Sequence, residues 1–103
     1  VWLIEHKTAA RRFTSDRIRY DFQPTSYLLA ARTLGLDNPD AAFQILLKTK
    51  KPAIDTIPLT RGPKDEDEFV DTALMVLKAI EAGSYPRNRG WGCADCQFKH
   101  RCG

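Results

Sequence analysis

No stretch of this 103-residue chain approaches the roughly 20 consecutive apolar residues that a membrane-spanning helix requires. No secretory leader is recognisable either. Cysteine is missing until late in the chain: Cys93, Cys96 and Cys102 all fall within the last eleven residues. A disulfide framework spreads an even number of cysteines along a chain. An odd, tightly clustered set reads instead as metal ligands in a reducing compartment, which leads us to expect a cytoplasmic protein. Internal repeats and low-complexity tracts are absent. So is any large excess of one charge, with 16 Lys and Arg against 13 Asp and Glu and a net charge of +3. That balance permits an anionic partner without demanding one.

The chain does contain an ordinary globular share of hydrophobic residues, 43%. Its length suffices for one small domain, whose modest core would gain from a metal staple. Val1 opens directly on a strand-like run, so we expect a chain cut from something longer. Val1–His6 is predicted as a strand and Lys7–Ser15, carrying Arg11 and Arg12, as a loop. Tyr20 to Leu34 reads as one helix, with Tyr27, Leu28, Ala31 and Leu34 at helical spacing, Pro24 near its start and Gly35 past its end. Asp37–Asp40 is turn chemistry. Ala42–Lys48 and Ile54–Thr60 read as two strands of a hairpin, the second marked as an edge by Pro58.

Gly62 and Pro63 open a long helix with acidic residues Asp65 to Glu68 in its first turn. Its predicted apolar face is Phe69, Ala73, Leu77 and Ile80, widened by Val70, Leu74 and Val76, and Gly83 is its stop. After Tyr85–Pro86 the sequence turns basic and glycine-rich. The order strand, helix, two strands, helix, tail predicts an α/β or α+β layout. Residues 1–86 are read as a core and 87–103 as a cysteine-rich metal-binding tail.

Two clusters carry chemistry. Glu5-His6-Lys7 ends the first strand, and residues two apart on a strand share a face, so Glu5 and Lys7 project together. A carboxylate is a hard ligand for a divalent metal, and a neighbouring lysine can orient water or stabilise charge on a phosphate. Together they suit metal-assisted phosphodiester hydrolysis. The plainer reading of E-x-K is a solvated pair at a strand edge. Gln23 and Tyr27, four apart, share one helix face near an N-terminus that favours phosphate. Their plainer reading is a cap or surface glutamine and a core tyrosine.

In the second cluster, Cys93-x2-Cys96 can place two thiolates on one metal, with Cys102 nearby. Softness admits an iron–sulfur cluster or zinc, the latter through Cys93, Cys96, His100 and Cys102. Three free thiols are the third alternative. Trp91 and Phe98 are expected to pack in the core. Arg87, Arg89, Lys99 and Arg101 make the tail basic, which suits a phosphate backbone or a solvated surface.

The run Ile4-Glu5-His6-Lys7-Thr8, followed by Gln23-Pro24-Thr25-Ser26-Tyr27, resembles the E-x-K and Q-x-x-x-Y motifs of RecB-like nucleases in the PD-(D/E)XK superfamily. The late helix ending in Ala82-Gly83-Ser84-Tyr85-Pro86 and the C-terminal cysteines extend the resemblance over nearly the whole chain. It implies the C-terminal part of a restriction-endonuclease-like core, a mixed sheet flanked by helices. It further implies a metal-dependent deoxyribonuclease, expected to be an exonuclease on DNA ends or single strands with a helicase or recombination partner and no membrane role. Glu5, with the backbone carbonyl of His6, would hold Mg²⁺ or Mn²⁺. Lys7 would be the catalytic lysine, and Gln23 and Tyr27 would support the site and contact DNA.

Relatives similar to AddAB-type helicase–nucleases and CRISPR adaptation nucleases hold a [4Fe–4S] cluster through three C-terminal cysteines and one far upstream. Here Cys93, Cys96 and Cys102 would be the three. The family's first acidic ligand and the upstream cysteine are expected to lie before Val1, ahead of Asp16, Asp21 or Asp55 as substitutes. The fragment alone is expected to be inactive.

Overall fold

In a computed structural model describing residues 1–102, the chain divides into two compact units, Val1–Thr72 and a second from Ala73 onward. The first unit is a three-stranded mixed sheet with helices, as the alternation of patterns predicts. Strand β1 (Trp2–Ala9) is followed by helices α1 (Ser15–Arg19) and α2 (Phe22–Thr33), then strands β2 (Asp40–Leu47) and β3 (Ala53–Leu59). β1 runs parallel to β2, Trp2 opposite Asp40 and Ala9 opposite Leu47, with the two helices forming the crossover. β2 and β3 form the expected antiparallel hairpin. The spatial order β1-β2-β3 leaves β3 at an edge, where Pro58 costs no ladder bond.

Several boundaries differ from the sequence reading. β1 continues through Lys7, Thr8 and Ala9, because these residues pair with Ile45, Leu46 and Leu47. A cross-strand partner of this kind is invisible in a local window. The expected helix from Tyr20 to Leu34 is α2, and a short helix that the sequence reading did not include, α1, precedes it. Thr14 caps α1 by accepting the Arg17 N–H at 3.2 Å, and Asp21 caps α2 by accepting the Gln23 N–H at 2.9 Å. Leu34, expected on the apolar face, is the C-cap of α2 and 83% exposed.

The core lies on one sheet face. Phe43 and Ile45 are fully buried and Leu47 nearly so, covered by Phe13 and Ile18 from the crossover. β1 places Leu3, Glu5, Lys7 and Ala9 on this face and leaves Trp2, Ile4, His6 and Thr8 exposed on the other. Phe13 meets Phe43 edge to face, with ring centroids 6.1 Å apart.

Helix α3 (Pro63–Glu81) starts where Gly62 and Pro63 predict. The Asp65 carboxylate accepts the Gly62 N–H at 2.7 Å, the return half of a capping box. Phe69 near the start of α3 packs edge to face on Phe22. The rest of the predicted apolar face is not covered among the described residues: Leu74, Leu77 and Ile80 are each about half exposed.

Gly35 and Gly83 end α2 and α3 in the left-handed conformation (φ 88° and 69°). The next residue's N–H reaches back five residues to a helix carbonyl, Leu36 to Ala31 and Ser84 to Ala79. In the second unit a 3-10 turn (Trp91–Cys93) precedes the short helix α4 (Lys99–Cys102). Trp91 is 97% exposed and Phe98 is exposed, so neither takes the core position expected of it. Among the described residues, no helix is long and apolar enough to cross a membrane.

Candidate active site

Four residues 22 positions apart in sequence, from Glu5 to Tyr27, meet through one amide. Parallel pairing with β2 fixes Glu5 opposite Phe43 and Lys7 opposite Ile45, on the face that α2 covers. The cap at Asp21 sets the first turn of α2 and puts Gln23 above that face. Lys7 Nζ donates to Gln23 Oε1 at 2.6 Å. Gln23 Nε2 donates to Glu5 Oε1 at 3.2 Å and to Tyr27 Oη at 2.9 Å.

The amide thereby uses its oxygen and both N–H groups. Its orientation is the only one that both charges accept, since a flipped amide would set N–H against the ammonium and oxygen against the carboxylate. Lys7 Nζ also stands 3.9 Å from Glu5 Oε1 and 5.2 Å from the Phe43 ring centroid. The side chains of Lys7 and Glu5 are 22% and 28% exposed, so the pair is neither fully solvated nor sealed. Tyr27 is half-exposed rather than core, and its hydroxyl proton is free to donate outward.

Around this constellation stands a polar brace that the sequence did not announce. Half-buried Arg61 follows β3. Its Nε donates to Thr25 Oγ1 at 3.1 Å, and its Nη2 donates to the carbonyls of Ile18 at 2.6 Å and Asp21 at 3.2 Å. Burial pushes its pKa down, and Asp65 nearby opposes that shift. Asp65 also takes Arg19 in an ion pair at 2.5 Å. The Gly62 N–H, and after it the Arg19 guanidinium, hold the Asp65 carboxyl below its usual range. Together these contacts tie the end of α1 and the start of α2 to the loop before α3. The only sequence signal for Arg61 is a lone arginine between a strand and a Gly-Pro helix start.

As a metal site, the constellation fits in part. Glu5 Oε2 has no hydrogen-bond partner among the described residues, and no buried side-chain oxygen or nitrogen lacks one. This oxygen therefore faces solvent and is a free hard donor. The His6 side chain points to the opposite sheet face, toward Gln44, Leu46 and Ile54, so only its backbone carbonyl remains for the role expected of it. Asp21 is occupied as a cap and Asp55 pairs with Arg12 at 3.0 Å. Asp16 lies in α1. No group of three potential metal-binding side chains forms among the described residues. A cleft of about 230 Å³ beside Arg32, Asp40 and Glu66 includes none of Glu5, Lys7, Gln23 or Tyr27.

In the tail, Cys93 and Cys96 line one open hollow with Trp91 and Gly90. Cys93 Sγ accepts the Gly90 N–H at 3.3 Å. Cys102 is exposed and not part of that hollow. The donor chemistry suits a soft metal, with Cys93 and Cys96 on one hollow and Cys102 outside it.

The family model of the PD-(D/E)XK nuclease superfamily matches residues 1–103, and the chain belongs to that superfamily. Its members are usually nucleases and commonly use Mg²⁺ or Mn²⁺. No curated protein and no solved structure matches.

Proposed function

We propose that this member of the PD-(D/E)XK nuclease superfamily supplies the catalytic carboxylate and lysine of a metal-dependent deoxyribonuclease of RecB-like type. The observation that carries the reading is the single amide of Gln23, which joins Lys7, Glu5 and Tyr27. Scattered surface residues have no reason to converge on one amide. Glu5, through Oε2, and the His6 carbonyl would hold Mg²⁺ or Mn²⁺, which supplies Lewis acidity toward a phosphodiester.

The chain's own groups do the rest. Lys7 holds its ammonium beside the carboxylate, where it orients a water molecule or meets charge developing on a phosphate oxygen. Gln23 fixes the ammonium and the carboxylate relative to each other. Tyr27 offers its hydroxyl proton to the DNA backbone. The reaction is read as exonucleolytic, on ends or single strands, with a helicase or recombination partner in the reducing cytoplasm.

Residues 1–86 form the nuclease part and 87–103 the tail. Cys93, Cys96 and Cys102 are read as three thiolates of a [4Fe–4S] cluster, supported by the shared hollow of Cys93 and Cys96. Zinc with His100 is the competing assignment. Iron with labile sulfide in protein purified without air would support the cluster, and one zinc per chain with no colour would replace it.

The enzymatic reading is tested by Glu5→Ala and Lys7→Ala in the natural protein. Each is expected to abolish cleavage of linear DNA while leaving the melting temperature nearly unchanged. Undiminished cleavage by either variant removes that residue from the mechanism.

A further inference from the structure

We infer that Arg17 is a DNA-phosphate contact, held over the Phe13 ring at the far end of an aromatic pair that also carries Lys7. This rests on the nuclease reading above and extends it to a residue outside the E-x-K and Q-x-x-x-Y motifs. The guanidinium carbon of Arg17 lies 3.6 Å from the Phe13 ring centroid, a stacking distance. Phe13 in turn meets Phe43, and Lys7 Nζ sits 5.2 Å from the Phe43 ring centroid. Two rings therefore link the cation of the catalytic site to a second, exposed cation on the crossover.

Of the other arginines in the first unit, Arg11 is exposed and anchored by no ring or ion pair among the described residues, and the rest have their charges or donors occupied. Arg12 pairs with Asp55, Arg19 with Asp65 and Arg32 with Glu66. Arg61 spends its donors on carbonyls and on Thr25. Arg17 is anchored by a ring, and its side chain has neither acceptor nor acidic partner among the described residues. Stacking holds a guanidinium through its face and leaves the N–H edge open, the geometry that grips a phosphate by two bonds. A side chain already ordered loses less entropy on binding than a free surface lysine or arginine. Arg17 so placed contacts the strand on which Lys7 acts and carries no base preference.

The test is the salt dependence of DNA binding by the natural protein. It is read by fluorescence anisotropy of a labelled single-stranded oligonucleotide and of its linear duplex, in chelator so that nothing is cut. Arg17→Ala is expected to weaken binding about tenfold and to lower the slope of log K against log salt by about 0.7–0.9, one phosphate contact. Arg17→Lys restores the slope and only part of the affinity, because the charge returns without the stack. A purely structural cation–π contact would lower the melting temperature and leave the slope alone.

An unchanged slope in a folded Arg17→Ala protein, beside a natural protein that binds, overturns the assignment of Arg17 and spares the nuclease. A natural protein that binds neither DNA overturns both.

Discussion

Replacing Gln23 with Leu keeps the bulk of the side chain and deletes the amide that touches Glu5, Lys7 and Tyr27. Two of the three lost bonds involve a charged partner and one a neutral hydroxyl. Such bonds contribute about 1.5–3 and 0.5–1.5 kcal/mol each when well buried. Here the site is open enough for water to replace most of them, so the stability cost should be only about 1–2 kcal/mol. Catalysis should suffer more. Without the amide, the ammonium and the carboxylate are left with only their own 3.9 Å approach, and both can swing. Misplacement of a reacting group by about 1 Å can cost on the order of 100-fold, which is about 2.7 kcal/mol of barrier.

The assay is steady-state cleavage of linear DNA under Mg²⁺, with thermal melting in parallel. The expected result is a fall in kcat of about 100-fold with KM little changed, since the lost contacts act on positioning rather than on substrate affinity. A Gln23→Glu companion separates the two roles of the amide. It keeps an acceptor for Lys7 but sets a second negative charge against Glu5, and it should also be slow. Full kcat in Gln23→Leu would refute the idea that the amide positions the pair.

Other outcomes follow from the same geometry. Phe43, fully buried beneath Phe13 and Lys7, should cost about 3–5 kcal/mol when changed to Ala, read by chemical denaturation. Trp91→Ala should alter stability by less than about 0.5 kcal/mol, because the ring is 97% exposed. Asp65 has its pKa lowered in the fold by Gly62 and Arg19, so it adds stability above the ordinary aspartate range that is lost as pH falls through its folded value. Asp65→Asn should therefore flatten the acid limb of a stability–pH profile and leave relative stability among neutral pH values unchanged.

The legible parts of this chain are those with local causes. Gly62-Pro63 with acids in the first turn gave α3 its start, and Gly35 and Gly83 gave two helix ends, because capping is written within a few residues. Two strand-forming runs set apart by Lys50–Pro52 gave the hairpin of β2 and β3. Glu5 and Lys7 on one face, and Gln23 with Tyr27 one turn on, were legible as pairs. That the two pairs meet came from the family resemblance alone, because it depends on β1 running parallel to β2 and on α2 starting at Asp21.

The same limit explains the misses. Lys7 to Ala9 is polar enough to read as loop, yet its partners on β2 make it strand. Thr14 is an ordinary cap residue, but α1, the helix it opens, is five residues long, too short to show helical spacing. Leu34 was assigned inward on helical spacing, and Trp91 and Phe98 on residue type. Leu34 came to sit at a helix end and the aromatic pair in a short tail, with no second layer to bury them among the described residues. Arg61 was missed because its acceptors, Thr25 Oγ1 apart, are carbonyls, which every sequence possesses and none displays.

The most direct measurement of the central claim is the metal dependence of DNA cleavage, with Mg²⁺ or Mn²⁺ added back to chelated natural protein beside its Glu5→Gln variant. Glu5→Gln keeps the shape of the side chain and removes the charged hard ligand. Cleavage absent in chelator, restored by either metal in the natural protein and not in the variant, is the predicted result. Cleavage that persists in chelator, or that returns equally in both proteins, would contradict the assignment of Glu5 as the metal-holding carboxylate.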